Sequence, residues 1–154
     1  MKTLVVVLTF VMALAGSAVA DTAEDIVAWY KVYAQLWDKA DVNIDAVERY
    51  YAVPGYFVGS DGALAAPTAE AHKATMVAFV EGLKQKGWAG SKLLSVRANV
   101  LNPSAAFVET EWTDYATDGT PLEGCKVALY TYLAAKTTEG WKFLSAHVGP
   151  CKSR

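Results

Sequence analysis

The sequence predicts an α+β fold, with three N-terminal helices packed into a strongly curved antiparallel sheet that forms a cone with an internal pocket. Three observations carry this expectation. In the first half of the chain, apolar residues recur at spacings of three and four, the period of a helix packed on one face. From Lys92 onward, runs rich in Val, Leu, Tyr, Phe, Trp and Thr are cut by short turn signals, the pattern of consecutive strands. Helical segments precede strand segments instead of alternating with them, which separates α+β from α/β.

The first twenty residues read as a secretory signal peptide. They hold one basic residue, Lys2, an apolar run from Leu4 to Ala15, and the small-x-small triplet Ala18-Val19-Ala20 before Asp21. The run is too short for a comfortable bilayer span of about 20 residues, and no basic stop-transfer flank follows it. Cleavage is expected near Ala20, leaving residues 21–154 as a single domain, periplasmic or secreted and without a membrane anchor. A chain of that size buries roughly two-thirds of its unfolded surface and needs no metal or disulfide merely to fold.

The first helix begins near Thr22, where Thr22 and Asp25 resemble a capping pair, and it turns Ile26, Tyr30, Tyr33 and Trp37 to one face. A second, shorter helix is expected from Asn43, carrying Ile44, Val47 and Tyr51 inward and stopped by Pro54-Gly55. A short strand, Tyr56-Phe57-Val58, runs into a turn at Ser60-Asp61-Gly62. Pro67-Thr68 opens the third helix, with His72, Met76, Phe79, Val80 and Leu83 inward, Lys84 and Lys86 in its last turn and Gly87 as a left-handed cap. Four strands follow over 92–101, 105–115, 124–136 and 141–148, separated at Asn102-Pro103-Ser104, Asp118-Gly119 and Glu139-Gly140. An apolar space is expected between the aromatic stripe of the first helix and the concave sheet face, and cavities of that kind are usual ligand sites.

Charge narrows the partners. Fourteen Lys and Arg stand against sixteen Asp and Glu, with no run of either sign, which argues against nucleic acid or an anionic membrane surface. A small apolar or aromatic molecule is the better expectation. Cys125 and Cys151, the two cysteines, read as one disulfide, because export places them in an oxidising compartment and because they fall near opposite ends of the last hairpin. A pair of free or metal-binding thiols is the alternative. No phosphate-binding glycine loop, metal-ligand spacing or nucleophile motif is present, so no cofactor and no metal is expected.

Candidate chemistry rests on a few side chains. His147 shares a strand face with Trp141, Phe143 and Ser145 by the two-residue alternation, so it faces the pocket if they do. There it could act as acid or base; otherwise it holds the strand end by a hydrogen bond. Two glutamates on one face are costly to bury, so Glu109 and Glu111 are assigned to solvent. That turns Trp112 and Asp114 inward and makes Asp114 a candidate partner for His147, unless it lies in water at the strand end. Tyr30, Tyr33, Trp37, Tyr56, Trp112, Tyr130 and Tyr132 form an aromatic set with polar tips, either pocket lining or plain core. His72 could line the pocket mouth.

The run Gly140-Trp141-Lys142-Phe143-Leu144-Ser145-Ala146-His147-Val148-Gly149 resembles the last strand of SnoaL-like domains, where a glycine turn is followed by tryptophan, an apolar residue two on and a histidine six on. The order of elements over residues 21–149 and Ala40-Asp41 between the first two helices are similar to the same nuclear transport factor two-like superfamily. The resemblance implies a cystatin-like cone shared by polyketide cyclases, ketosteroid isomerases, dehydratases and non-catalytic binding proteins, so fold does not carry function with it. It puts Tyr33 where ketosteroid isomerases keep an enolate-stabilising tyrosine. The aspartate base of those enzymes falls near Val58 or Gly59, neither of which takes a proton, and Asp61 is displaced into a turn, so that activity is not predicted. Three functions follow as expectations. The first is an exported binding protein with Tyr30, Trp37, Tyr56, Trp112 and Tyr130 around its ligand. The second is a cyclase, isomerase or dehydratase using His147, Asp114 and Tyr33. The third is an interaction module that forms a homodimer through the outer sheet face.

Overall fold

A computed structural model describes residues 22–152 except 61 and 123. The expected signal peptide, its cleavage site and Asp61 therefore lie outside the described residues. Helix α1 is helical from 22 to 34 and tightens into a 3-10 turn at Gln35–Trp37. Its predicted stripe is the centre of the core: Ile26, Tyr30, Tyr33 and Trp37 are all buried. The aromatic rings of Tyr30 and Tyr33 meet Phe143 edge-on at 5.8 and 5.0 Å, the geometry ring quadrupoles favour.

Helix α2 (Ile44–Glu48) starts where expected, with the Asn43 side chain accepting from the Ala46 backbone N–H at 3.0 Å. It ends earlier than predicted. Tyr51 belongs to strand β1 (Tyr51–Gly59), and Pro54-Gly55 lies within that strand instead of stopping the helix. Proline is tolerated because the β1 pairing with β6 is interrupted between Tyr51 and Tyr56, where no ladder donor is required. Strand β2 (Gly62–Ala66), absent from the sequence expectation, forms a hairpin with β1. Helix α3 (Ala69–Gln85) is capped by Thr68, whose hydroxyl accepts from the Ala71 N–H, and Gly87 follows it at a φ of +83°.

The remaining strands are β3 (Trp88–Asn102), β4 (Ala105–Ala116), β5 (Ala128–Thr137) and β6 (Gly140–Val148). They form the expected antiparallel meander, but within one six-stranded sheet of order β2-β1-β6-β5-β4-β3. This corrects the antiparallel, strongly curved expectation: β1 runs parallel to β6, so the sheet is mixed, and it is not strongly curled. The physical reason for the mixed sheet is the β1–β2 hairpin, which joins the open edge of β6 with β1 parallel to it and makes the sheet six strands wide. β4 alternates as predicted, with Val108, Thr110 and Trp112 buried; on the opposite face Glu109 pairs with Arg97 and Glu111 with Lys152.

Two ties fix the periphery. Cys125 and Cys151 are joined, with Cα atoms 5.4 Å apart, and beside them the Lys152 N–H donates to the Val127 carbonyl at 2.9 Å. At the start of β3, Tyr115 donates its hydroxyl proton to the Asp38 carbonyl, and Gly90 sits against both; a Cβ there would collide with the two oxygens.

Candidate functional site

Between the helices and the inner face of the sheet lies a cavity of about 230 Å³. Helix α1 and its 3-10 turn contribute Tyr33 and Trp37, β1 contributes Tyr51 and Phe57, and α3 contributes Met76, Phe79 and Leu83. The sheet floor brings Ser91, Trp112, Asp114, Tyr130, Tyr132, Ala146 and Val148. Aromatic rings from five elements therefore frame one space, because the helical stripe and the alternate residues of β4 and β5 point to the same side.

Its polar groups are few and organised. The hydroxyls of Tyr33 and Tyr51 hydrogen-bond each other at 3.0 Å. The Trp112 indole N–H reaches Thr110 Oγ1 at 3.0 Å and Tyr30 Oη at 3.3 Å, which holds the ring against the cavity wall. At another point a short relay runs from the Trp88 indole N–H to Ser91 Oγ at 3.0 Å, and from the Ser91 hydroxyl to Asp114 Oδ1 at 2.5 Å. Burial raises the proton affinity of Asp114 above the ordinary aspartate value, against the opposing pull of the Ser91 and Trp88 hydrogen bonds. Burial also pushes Tyr33, Tyr51 and Tyr132 well above the usual phenol range and Tyr30 up to about 12. Tyr130 rises by burial and then by the nearby charge of Asp114.

Of the residues singled out from sequence, Tyr33, Trp37, Trp112, Tyr130 and Asp114 line the cavity together. Four others do not, His72 among them. Tyr30 is fully buried behind the wall, and Tyr56 is 52% exposed while its neighbour Phe57 takes the lining position. His147 is the third correction. The β5–β6 register skips between Leu133–Ser145 and Ala134–Phe143, leaving Leu144 as an extra residue in β6. That bulge reverses the alternation: Trp141 and Phe143 point into the core, but beyond it Ala146 and Val148 line the cavity. His147 instead meets Ser145, its Nε2 3.0 Å from Ser145 Oγ, so the expected His147–Asp114 pair is not assembled.

His72 is also not at the mouth. It is fully buried between α3 and β1, its Nδ1 2.7 Å from Glu48 Oε1 and its ring 4.6 Å from that of Tyr51 and 4.9 Å from that of Phe57. It backs the wall that those two rings present. Ser91 was missed by sequence reasoning, which began this strand only at Lys92. β3 already begins at Trp88, and its pairing with β4 sets Ser91 opposite Asp114.

Residues 23–151 match a family described as NTF2-like protein (DUF6841). No curated protein matches the chain. Among solved structures, the chain resembles an NTF2-like protein of unknown function from Pseudomonas putida KT2440, at 13% identity over 87% of this chain and 89% of that one, with a TM-score of 0.66. An NTF2-like protein with a cystatin-like fold from Novosphingobium aromaticivorans shares 17% identity over 88% and 86%, with a TM-score of 0.65. A third, of unknown function from Shewanella oneidensis MR-1, shares 18% identity over 82% and 98%, with a TM-score of 0.61. At these identities the likeness shows the fold alone, and at that level the resemblance expected from the last strand is borne out.

Proposed function

We propose that this chain, which belongs to the NTF2-like protein family (DUF6841), is an exported small-molecule binding protein whose cavity holds a compact apolar or aromatic ligand. The observation that carries this reading is the cavity wall itself: among the described residues, eight of the nineteen that line it are aromatic, and they leave about 230 Å³ open between them. That space exceeds the roughly 150 Å³ that accepts benzene and falls short of typical drug-sized sites, so a single-ring or short-chain molecule is the fitting size. The Cys125–Cys151 bond and the leader-like start of the chain support an oxidising destination.

The test is direct. Trp37 and Trp112 line the cavity, so titrating toluene or benzyl alcohol should change the intrinsic fluorescence with saturation, and native mass spectrometry of protein exported to a bacterial periplasm should reveal a small adduct. Absence of both saturation and adduct would remove the reading. The enzymatic alternative draws its support from Asp114, a carboxyl of raised proton affinity that lines the same apolar space as Tyr33; His147 lends it nothing from its position beside Ser145. The homodimer alternative would use an outer face occupied by the Arg97–Glu109 and Lys152–Glu111 pairs, a surface suited to a wet, weak contact. Sedimentation at increasing concentration separates it from a monomer.

A further inference from the structure

We infer that the cavity selects a compact organic ammonium ion, with the cationic head at Asp114 and the apolar body among the aromatic rings. The inference deepens the binding reading above and rests on it.

Among the described lining residues Asp114 is the one carboxylate, and no Lys, Arg or His lines the space. The groups that hold Asp114 are neutral donors, the Ser91 hydroxyl directly and the Trp88 indole through it. They orient the carboxylate and stabilise its anion without neutralising it. Asp114 is half-buried and lacks a cationic partner, which penalises its charge, and a ligand that brings the missing positive charge offsets that penalty. An anionic ligand would add to it.

The rings point the same way. Trp37, Trp112 and Tyr130 line the same space as Asp114, and the faces of Trp and Tyr attract cations through their quadrupoles, more strongly where water is excluded. An aromatic enclosure with one acid in its wall is complementary to an ammonium group on two counts, the carboxylate and the ring faces. A neutral alcohol could hydrogen-bond to Asp114 but would leave the charge uncompensated. The volume limits the body of the ligand to about one ring or a short chain.

Four probes on the intact protein decide it: benzylammonium, benzyl alcohol, benzoate and tetramethylammonium, titrated at neutral pH by calorimetry and tryptophan fluorescence. Benzylammonium should bind about tenfold tighter than benzyl alcohol, tetramethylammonium should compete with it, and benzoate should be the weakest. In Asp114→Asn, checked for an unchanged circular dichroism spectrum, the two benzyl probes should bind about equally, with the alcohol retained. Equal affinities in the wild type, or benzoate as the tightest probe, would overturn the charge selectivity while leaving the binding reading in place. Binding by none of the four would overturn both. The wild-type series alone is decisive should the variant fail to fold.

Discussion

Removing one phenolic hydroxyl from the cavity wall should cost more than removing two. Tyr33 is 1% exposed and Tyr51 7%, and their hydroxyls bond each other at 3.0 Å. Tyr33→Phe keeps the ring packed against Phe143 and Tyr132 but leaves the Tyr51 hydroxyl without that partner. Tyr51→Phe does the converse. Stranding a buried polar group costs about 1–3 kcal/mol, whereas replacing both partners by apolar groups of the same shape is nearly neutral. The two single variants should therefore each lose about 1–3 kcal/mol, and the double variant should fall within about 1 kcal/mol of the parent. Equilibrium urea unfolding followed by tryptophan fluorescence measures all four corners of the cycle. Single variants that lose less than about 0.5 kcal/mol and add without coupling would mean that each hydroxyl is satisfied independently, for instance by solvent in the cavity, and the paired wall would be refuted.

Three further outcomes follow from the same structure. Because burial raises the proton affinity of Asp114 in the folded state, the native chain holds that proton where the unfolded chain has lost it, so stability falls as pH rises from the ordinary aspartate value through the raised native one. Asp114→Asn should remove that fall: urea midpoints of the ligand-free protein should be higher than the parent's at neutral pH, with the difference disappearing at low pH, and a variant less stable at neutral pH would contradict it. Tyr30, Tyr33, Tyr51, Tyr130 and Tyr132 hold their protons above the usual phenol range, so stability should drop as pH climbs past about 10 and their ionisation, read as phenolate absorbance, should appear together with unfolding instead of before it. Reducing the Cys125–Cys151 bond, which closes a sequence separation of 26, should lower unfolding free energy by about 3.5 kcal/mol on the chain-entropy account, and Cys125→Ser with Cys151→Ser should reproduce the loss by denaturant titration.

Much of this architecture was legible because it is periodic. The α1 stripe Ile26, Tyr30, Tyr33, Trp37 and the α3 residues His72, Met76 and Val80 are buried as their spacing requires. The β4 alternation was readable from one electrostatic fact, that Glu109 and Glu111 would not share a dry face. What escaped was aperiodic or non-local. Gly62 to Ala66 carries glycine and alanine, weak strand formers, and becomes β2 only because β1 offers it an edge. Pro54-Gly55 looks like a helix stop, and only the interrupted parallel ladder to β6, a partner some ninety residues away, makes it tolerable within a strand. The extra residue at Leu144 leaves no mark in composition. One bulge therefore moved His147 out of the site and put Ala146 and Val148 into it.

The cavity has an energetic meaning beyond its shape. Were it sealed and dry, about 230 Å³ of empty space would forgo up to ~5.5 kcal/mol, by the roughly 24 cal/mol per Å³ that residual core cavities cost. That is of the same order as the whole stability of a small domain. The chain has the means to fill it, since Ala146, Thr75, Gly59 and Gly62 are small residues in the wall, while Phe143 and Trp141 are large side chains buried in the neighbouring core. The rings around the space are also ill suited to collapse into it, because Tyr33, Tyr51 and Trp112 are each anchored by a hydrogen bond at the polar tip. A void that is framed by anchored aromatics, bordered by small residues and marked by one oriented carboxylate is better explained by something that enters it than by imperfect packing.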